Sequence, residues 1–178
     1  MLKPQDNLVL LWHLAHPKDG PRTFAALAEA LGLSVGEVHN ATGRLLASRL
    51  LLRSPSGPEL HASVKSAGEY LEHGLPYVFP AEPGPQTRGI PTGTGCPVLN
   101  INLAASDLDW VWPHPEGKVR GPALAPIYRS APDAALKDER LYALLALVDL
   151  LRIGRARERQ QAGAVLRVFL NDPDEPLS

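Results

Sequence analysis

A single cysteine, Cys96, stands in a chain of 178 residues. One thiol excludes an intramolecular disulfide and any zinc site built on a cysteine cluster, and it suits a reducing, cytoplasmic setting. Positive charge is not in excess either: 18 Lys and Arg stand against 19 Asp and Glu, a formal net charge of −1. That balance excludes a general nucleic-acid coat. No apolar run approaches the roughly 20 residues that a membrane-spanning helix needs, so no membrane partner is expected. The opening residues, MLKPQDNLVLLWHLAH, lack the small-residue cleavage site of a signal peptide. Aromatic residues are scarce, at 6%, which makes the places where they gather informative.

What remains is the composition of an ordinary globular protein, 44% apolar and 21% charged, long enough for one small domain plus an extension. Residues 7–16 are helical in character and are stopped by the turn PKDGP at 17–21. Thr23 is a natural N-cap for the helix FAALAEAL, in which Phe24, Leu27, Ala28 and Leu31 fall on one face. Gly32 ends that helix. Ser34 followed three residues later by Glu37 is a capping box, so a second helix runs from there to about Ser48 with Val38, Ala41, Leu45 and Leu46 inward. Beyond it, RLLLRSPSGPELHAS reads as two short extended segments around the turn 54–57, and residues 62–73 as one more helix.

The texture then changes. Eleven of the eighteen prolines lie between Pro76 and Pro132 and break every periodic pattern. Tyr77, Phe79, Trp110, Trp112 and Tyr128 nevertheless fall here. Such residues are normally buried at least in part, so this segment is expected to be ordered but irregular, made of loops and short strands. From Pro132 a single helix, DAALKDERLYALLALVDLLRIG, is apolar nearly all round and should be buried on several sides. Gly154 separates it from a last helix. Residues 1–66 carry seven basic against five acidic residues, the only part of the chain with a basic lean.

Two helices joined by so tight a turn need a small residue where they touch, a residue tolerant of positive φ, and a branched anchor in the second helix. Ala28, Gly32 and Val38 stand in those places. With the turn-bearing hairpin behind it, the pattern resembles winged-helix regulators of the MarR and related bacterial families over residues 5–66. The resemblance implies that residues 34–48 form a recognition helix in the DNA major groove. Its outward positions are Ser34, Val35, Gly36, His39, Asn40, Gly43 and Arg44. Asn40 would pair with adenine, His39 with a guanine acceptor, and Val35 with a thymine methyl. Ser34, Arg44 and Arg53 would touch phosphates, as would the start of the preceding helix at Thr23. So few basic residues grip DNA weakly, so a homodimer on two half-sites is expected.

Other constellations point less far. Residues 89–97, GIPTGTGCP, lack the Lys-Ser/Thr of a P-loop. His13 and His16 are spaced three apart with no acid or thiol on their helix to complete a metal site, and a surface or capping role is expected. Asp107, Asp109 and His114 lack a Ser or Cys nucleophile beside them. No enzyme activity, cofactor or metal is expected. The segment 110–130 resembles the carboxyl-terminal extension of winged-helix proteins found with toxin genes, which implies either a toxin partner or packing onto the winged helix. Arg152, Arg155 and Arg159 are spaced as a positive stripe on one helical face, a candidate contact for an acidic partner.

The expectation is therefore an α+β, mostly α protein. It comprises a winged helix-turn-helix DNA-binding domain at 1–74, a Pro/Gly-rich irregular segment at 75–130, and a helical dimerisation or partner-binding region at 131–172. It would act as a homodimeric repressor on double-stranded DNA. The alternative is an antitoxin-type interaction protein that binds a toxin and autoregulates its operon.

Overall fold

The computed structural model describes residues 1–20, 23–99 and 109–172. It is α+β and mostly helical. Helix α1, Pro4–Ala15, has Pro at its first position and the Asp6 carboxylate on the Lys3 N–H at 2.8 Å. Leu8, Val9, Leu10 and Leu11 are fully buried in succession. A helix buried all round sits inside the molecule rather than on it, and α1 packs on later helices from both parts of the chain.

Helix α2, Phe24–Leu31, begins at Thr23, whose Oγ1 accepts from the Ala26 N–H at 3.2 Å. It ends at Gly32 in the left-handed region, φ 63°. A Cβ there would be strained and would stand 3.1 Å from the Ser130 Cβ. Helix α3, Val35–Ala47, starts three residues on, after its N-cap Ser34. Strands β1, Leu51–Arg53, and β2, Leu60–Ala62, pair antiparallel with Leu51 opposite Ala62 and Arg53 opposite Leu60. Helix α4, Val64–His73, and the short α5, Leu75–Val78, follow.

The described residues of the proline-rich middle form strands. Strand β3, Pro83–Pro91, pairs antiparallel with β4, Val111–Pro113, and with β5, Val119–Leu124, and β4 pairs parallel with β5. Together they close a small three-stranded barrel. Closure at so small a radius needs backbone in contact with backbone: a Cβ on Gly121 would lie 1.9 Å from the Asp109 carbonyl oxygen.

The carboxyl-terminal part corrects one expectation. The stretch 132–153 is two helices, α6, Ala131–Lys137, and α7, Glu139–Ile153. Asp138 divides them because its carboxylate accepts from the Arg140 and Leu141 N–H groups, both at 3.1 Å, and so caps the second. Residues 141–151 of α7 are all buried, covered by α1, α5, α6 and the last helix α8, Ala156–Asn171. Its apolar surface is therefore used within the chain and is not a face for a second copy. One continuous apolar cluster runs from Leu8 to Leu170.

Two polar networks are set into it. Asp6, fully buried, receives both Nε and Nη2 of Arg44 at 2.8 and 2.6 Å, and beside it Tyr70 donates to Asn7 at 2.7 Å. These bonds tie α1 to α3 and α4. In the second network the buried Asp149 carboxylate accepts from Thr92, Trp112 and Arg152 at 2.7, 2.7 and 2.8 Å. Arg152 also donates to the Phe79 and Ala125 carbonyls. Burial pushes the Asp149 carboxyl up, while the Arg152 charge and the Thr92 and Trp112 bonds pull the other way. The network fastens the barrel onto α7. It also gives the 89–97 stretch its place: Thr92 is an anchor, and the 3-10 turn Gly93–Gly95 packs on Leu150.

Candidate nucleic-acid interface

The amino terminus of α3 is capped as its sequence requires. Ser34 Oγ accepts from the Glu37 N–H at 3.1 Å, and Glu37 Oε2 accepts from the Ser34 N–H at 2.8 Å. Val38, Ala41, Thr42 and Leu45 face inward. Val35, Gly36, His39, Asn40 and Gly43 are exposed on the opposite side. Nothing lies within 4 Å of a Cβ built on Gly36 or Gly43, so this face is open and low in relief. His39 sits at its edge, T-shaped against the Phe24 ring with centroids 5.8 Å apart. Ser34 and Thr23 are exposed but already serve as caps. Arg53 is exposed at the end of β1 beside a cavity of about 480 Å³ whose walls include Trp12, Thr23, Phe24, Thr42 and Leu60.

Arg44 departs from expectation. Its guanidinium points back across α1 into the Asp6 pair and is three-quarters covered, with side-chain exposure of 24%. A fork held by both carboxylate oxygens is committed to the fold and is not presented to a phosphate. The arginine stripe does not form either. Arg152 is 4% exposed and held by Asp149, Gly154 ends its helix, and Arg155 is the N-cap residue of α8. Only Arg155 and Arg159 of the three are exposed.

A contact that the sequence reading missed lies on the first turn of α3. The Tyr128 hydroxyl donates to Glu37 Oε1 at 2.8 Å, and Ser130 Oγ donates to the Leu31 carbonyl at 2.6 Å. The segment 128–130 thus clasps the turn between α2 and α3 from 91 and 99 residues away. The Ser34 N–H and hydroxyl and the Tyr128 hydroxyl hold Glu37 below the usual carboxylate range. The Arg129 guanidinium lies over the Tyr128 ring, 5.7 Å from its centroid.

The histidines are placed as follows. His16 closes α1, and its Nε2 lies 2.5 Å from Asp138 Oδ2. His13 is mostly buried rather than on the surface, its Nε2 has no hydrogen-bond partner among the described residues, and burial with the nearby His16 lowers its pKa to about 4. His114 Nε2 is 3.0 Å from Asp133 of α6, so its acidic partner is not Asp109. Asp107 lies outside the described residues. No group of three or more His, Cys, Asp or Glu suited to a metal ion occurs among the described residues. None of their helices is long and apolar enough to cross a membrane. No family model, curated protein or solved structure matches the chain.

Proposed function

We propose that the chain is a sequence-specific double-stranded DNA-binding regulator that works as a homodimer. On this reading α2 and α3 are a helix-turn-helix, β1 and β2 its wing, and α3 enters the major groove amino terminus first. The observation that carries it is the outward face of α3. A capped helix presents Val35, His39 and Asn40 beside Gly36 and Gly43, whose Cβ positions are open, which lets a helix lie close to base edges. Binding at a promoter through two half-sites one helical turn apart, or a multiple of it, would repress by occlusion.

The test is selection of bound duplexes from a random library at low salt, followed by competition at about physiological salt. Enrichment of one inverted repeat is the expected result. Equal retention of all sequences, or none, overturns the proposal. A second reading, the antitoxin-type interaction protein, is favoured by Tyr77 and Val78, adjacent on α5 and exposed at 79% and 55%. A stoichiometric partner retained on the tagged chain, in place of DNA, would support that reading.

A further inference from the structure

The proposed reading helix holds one basic residue, Arg44, and it is fixed to Asp6. A helix without a free cation has little grip on the phosphates that border a groove. Glu37 makes this worse, since its ionised carboxylate lies on the first turn of α3. Positions 37 and 44 are seven residues apart and therefore share one flank of the helix, beside the open face of 36, 40 and 43. Tyr128 reaches that flank from the far side of the sequence, and Arg129 comes with it.

Resting on the DNA-binding reading above, we propose that Arg129 is a phosphate contact of the interface. It is brought to the flank of α3 by the Tyr128–Glu37 and Ser130–Leu31 hydrogen bonds. It takes the place on that flank which Arg44 vacates. Arg129 is exposed, and its guanidinium, 5.7 Å from the Tyr128 ring centroid, is kept at this flank by the ring and by the Glu37 charge. The clasp has a second consequence. Residues 128–130 join the barrel to α6, so the segment between them contributes to the surface that meets DNA.

The experiment measures binding to the selected duplex and to a random duplex as a function of salt, for wild type, Arg129→Ala, Arg129→Lys and Arg157→Ala, an exposed charge-matched control on α8. Arg129→Ala is expected to weaken both duplexes by the same factor, on the order of tenfold, and to reduce the slope of log K against log salt by about one per protomer. Arg129→Lys should restore the slope, and Arg157→Ala should leave it unchanged. Repeating Arg129→Ala in a Glu37→Gln background separates a direct contact from simple neutralisation of Glu37. The loss should persist there, and its disappearance would overturn the inference. Wild type that binds its selected duplex while Arg129→Ala keeps full affinity and slope would also overturn it, with the DNA reading intact. Wild type that binds no duplex removes both.

Discussion

The guanidinium of Arg44 grips both oxygens of Asp6 across the crossing of α3 and α1. The carboxylate has no exposure at all. Among the described residues its other hydrogen bond is from the Lys3 N–H, so removing the guanidinium would strand a buried charge. Arg44→Ala is therefore expected to lower stability by about 3 kcal/mol, the low end for a broken buried pair because Arg44 itself is partly exposed. Arg44→Lys should recover only part of this, since an ammonium cannot present the fork. Urea unfolding at neutral pH measures both. A loss below about 1 kcal/mol for Arg44→Ala would mean that the pair is not maintained in solution.

The Asp149 network makes a larger demand on a single side chain. Asp149→Ala leaves the Arg152 charge buried and removes the acceptor from both Thr92 and Trp112. Expected destabilisation is about 3–5 kcal/mol. Because the groups act together, the cycle of Asp149→Ala with Thr92→Val should be non-additive by at least about 0.5 kcal/mol. Unfolding free energies of the four proteins test this. Strict additivity would show that Thr92 and Asp149 stabilise independently and that the barrel is fastened to α7 by other contacts.

His13 predicts a specific pH window. Its folded pKa, about 4, lies below the ordinary 6.5, so between those values the unfolded chain binds a proton that the folded chain refuses. The stability due to a neutral His13 is present in full above pH 6.5 and is lost as pH falls toward 4, by up to about 3 kcal/mol. His13→Gln should flatten the stability profile in that range. Asp138 acts lower: burial raises its pKa, but His16 and the α7 amides reverse this to a net depression, so its contribution is lost only as pH falls below the ordinary aspartate value. Thermal midpoints from pH 7 down to about 2 separate the two. A wild-type profile flat from 6.5 to 4.5 would contradict the burial of the His13 ring.

How much of this was legible follows from the range of each interaction. The caps at Thr23 and Ser34 and the stop at Gly32 act within four residues, and their residue types name them. The break at Asp138 carried a local signal too, an Asp directly before a helical run, but the apolar periodicity on either side concealed it. The pairings of Arg44 with Asp6 and Arg152 with Phe79 reach 38 and 73 residues along the chain, and nothing in the flanking sequence marks an arginine as held rather than free. The barrel was hidden for a related reason. Strand β3 contains three prolines, and its partners begin only at Val111, so no alternating pattern announces it. The Tyr128 clasp had only one hint, an aromatic residue with a hydroxyl in a proline-rich segment.

Gly43 separates stability from recognition. It lies in the middle of α3 with no atom within 4 Å of its missing Cβ, so Gly43→Ala meets no obstacle in the fold. Removing a mid-helix glycine should raise stability by about 0.5–1 kcal/mol. If α3 lies in a groove, the same methyl comes between helix and base edges, and affinity for the selected duplex should fall while stability rises. Asn40→Ala is the companion measurement. It should change which sequences are bound, at a cost of about 1–3 kcal/mol on the preferred base, whereas Arg53→Ala should weaken all duplexes alike. A destabilised protein loses both properties together, so opposite changes in Gly43→Ala cannot arise from a damaged fold. Increased stability with unaltered affinity would place the DNA contact, if there is one, on a surface other than this face of α3.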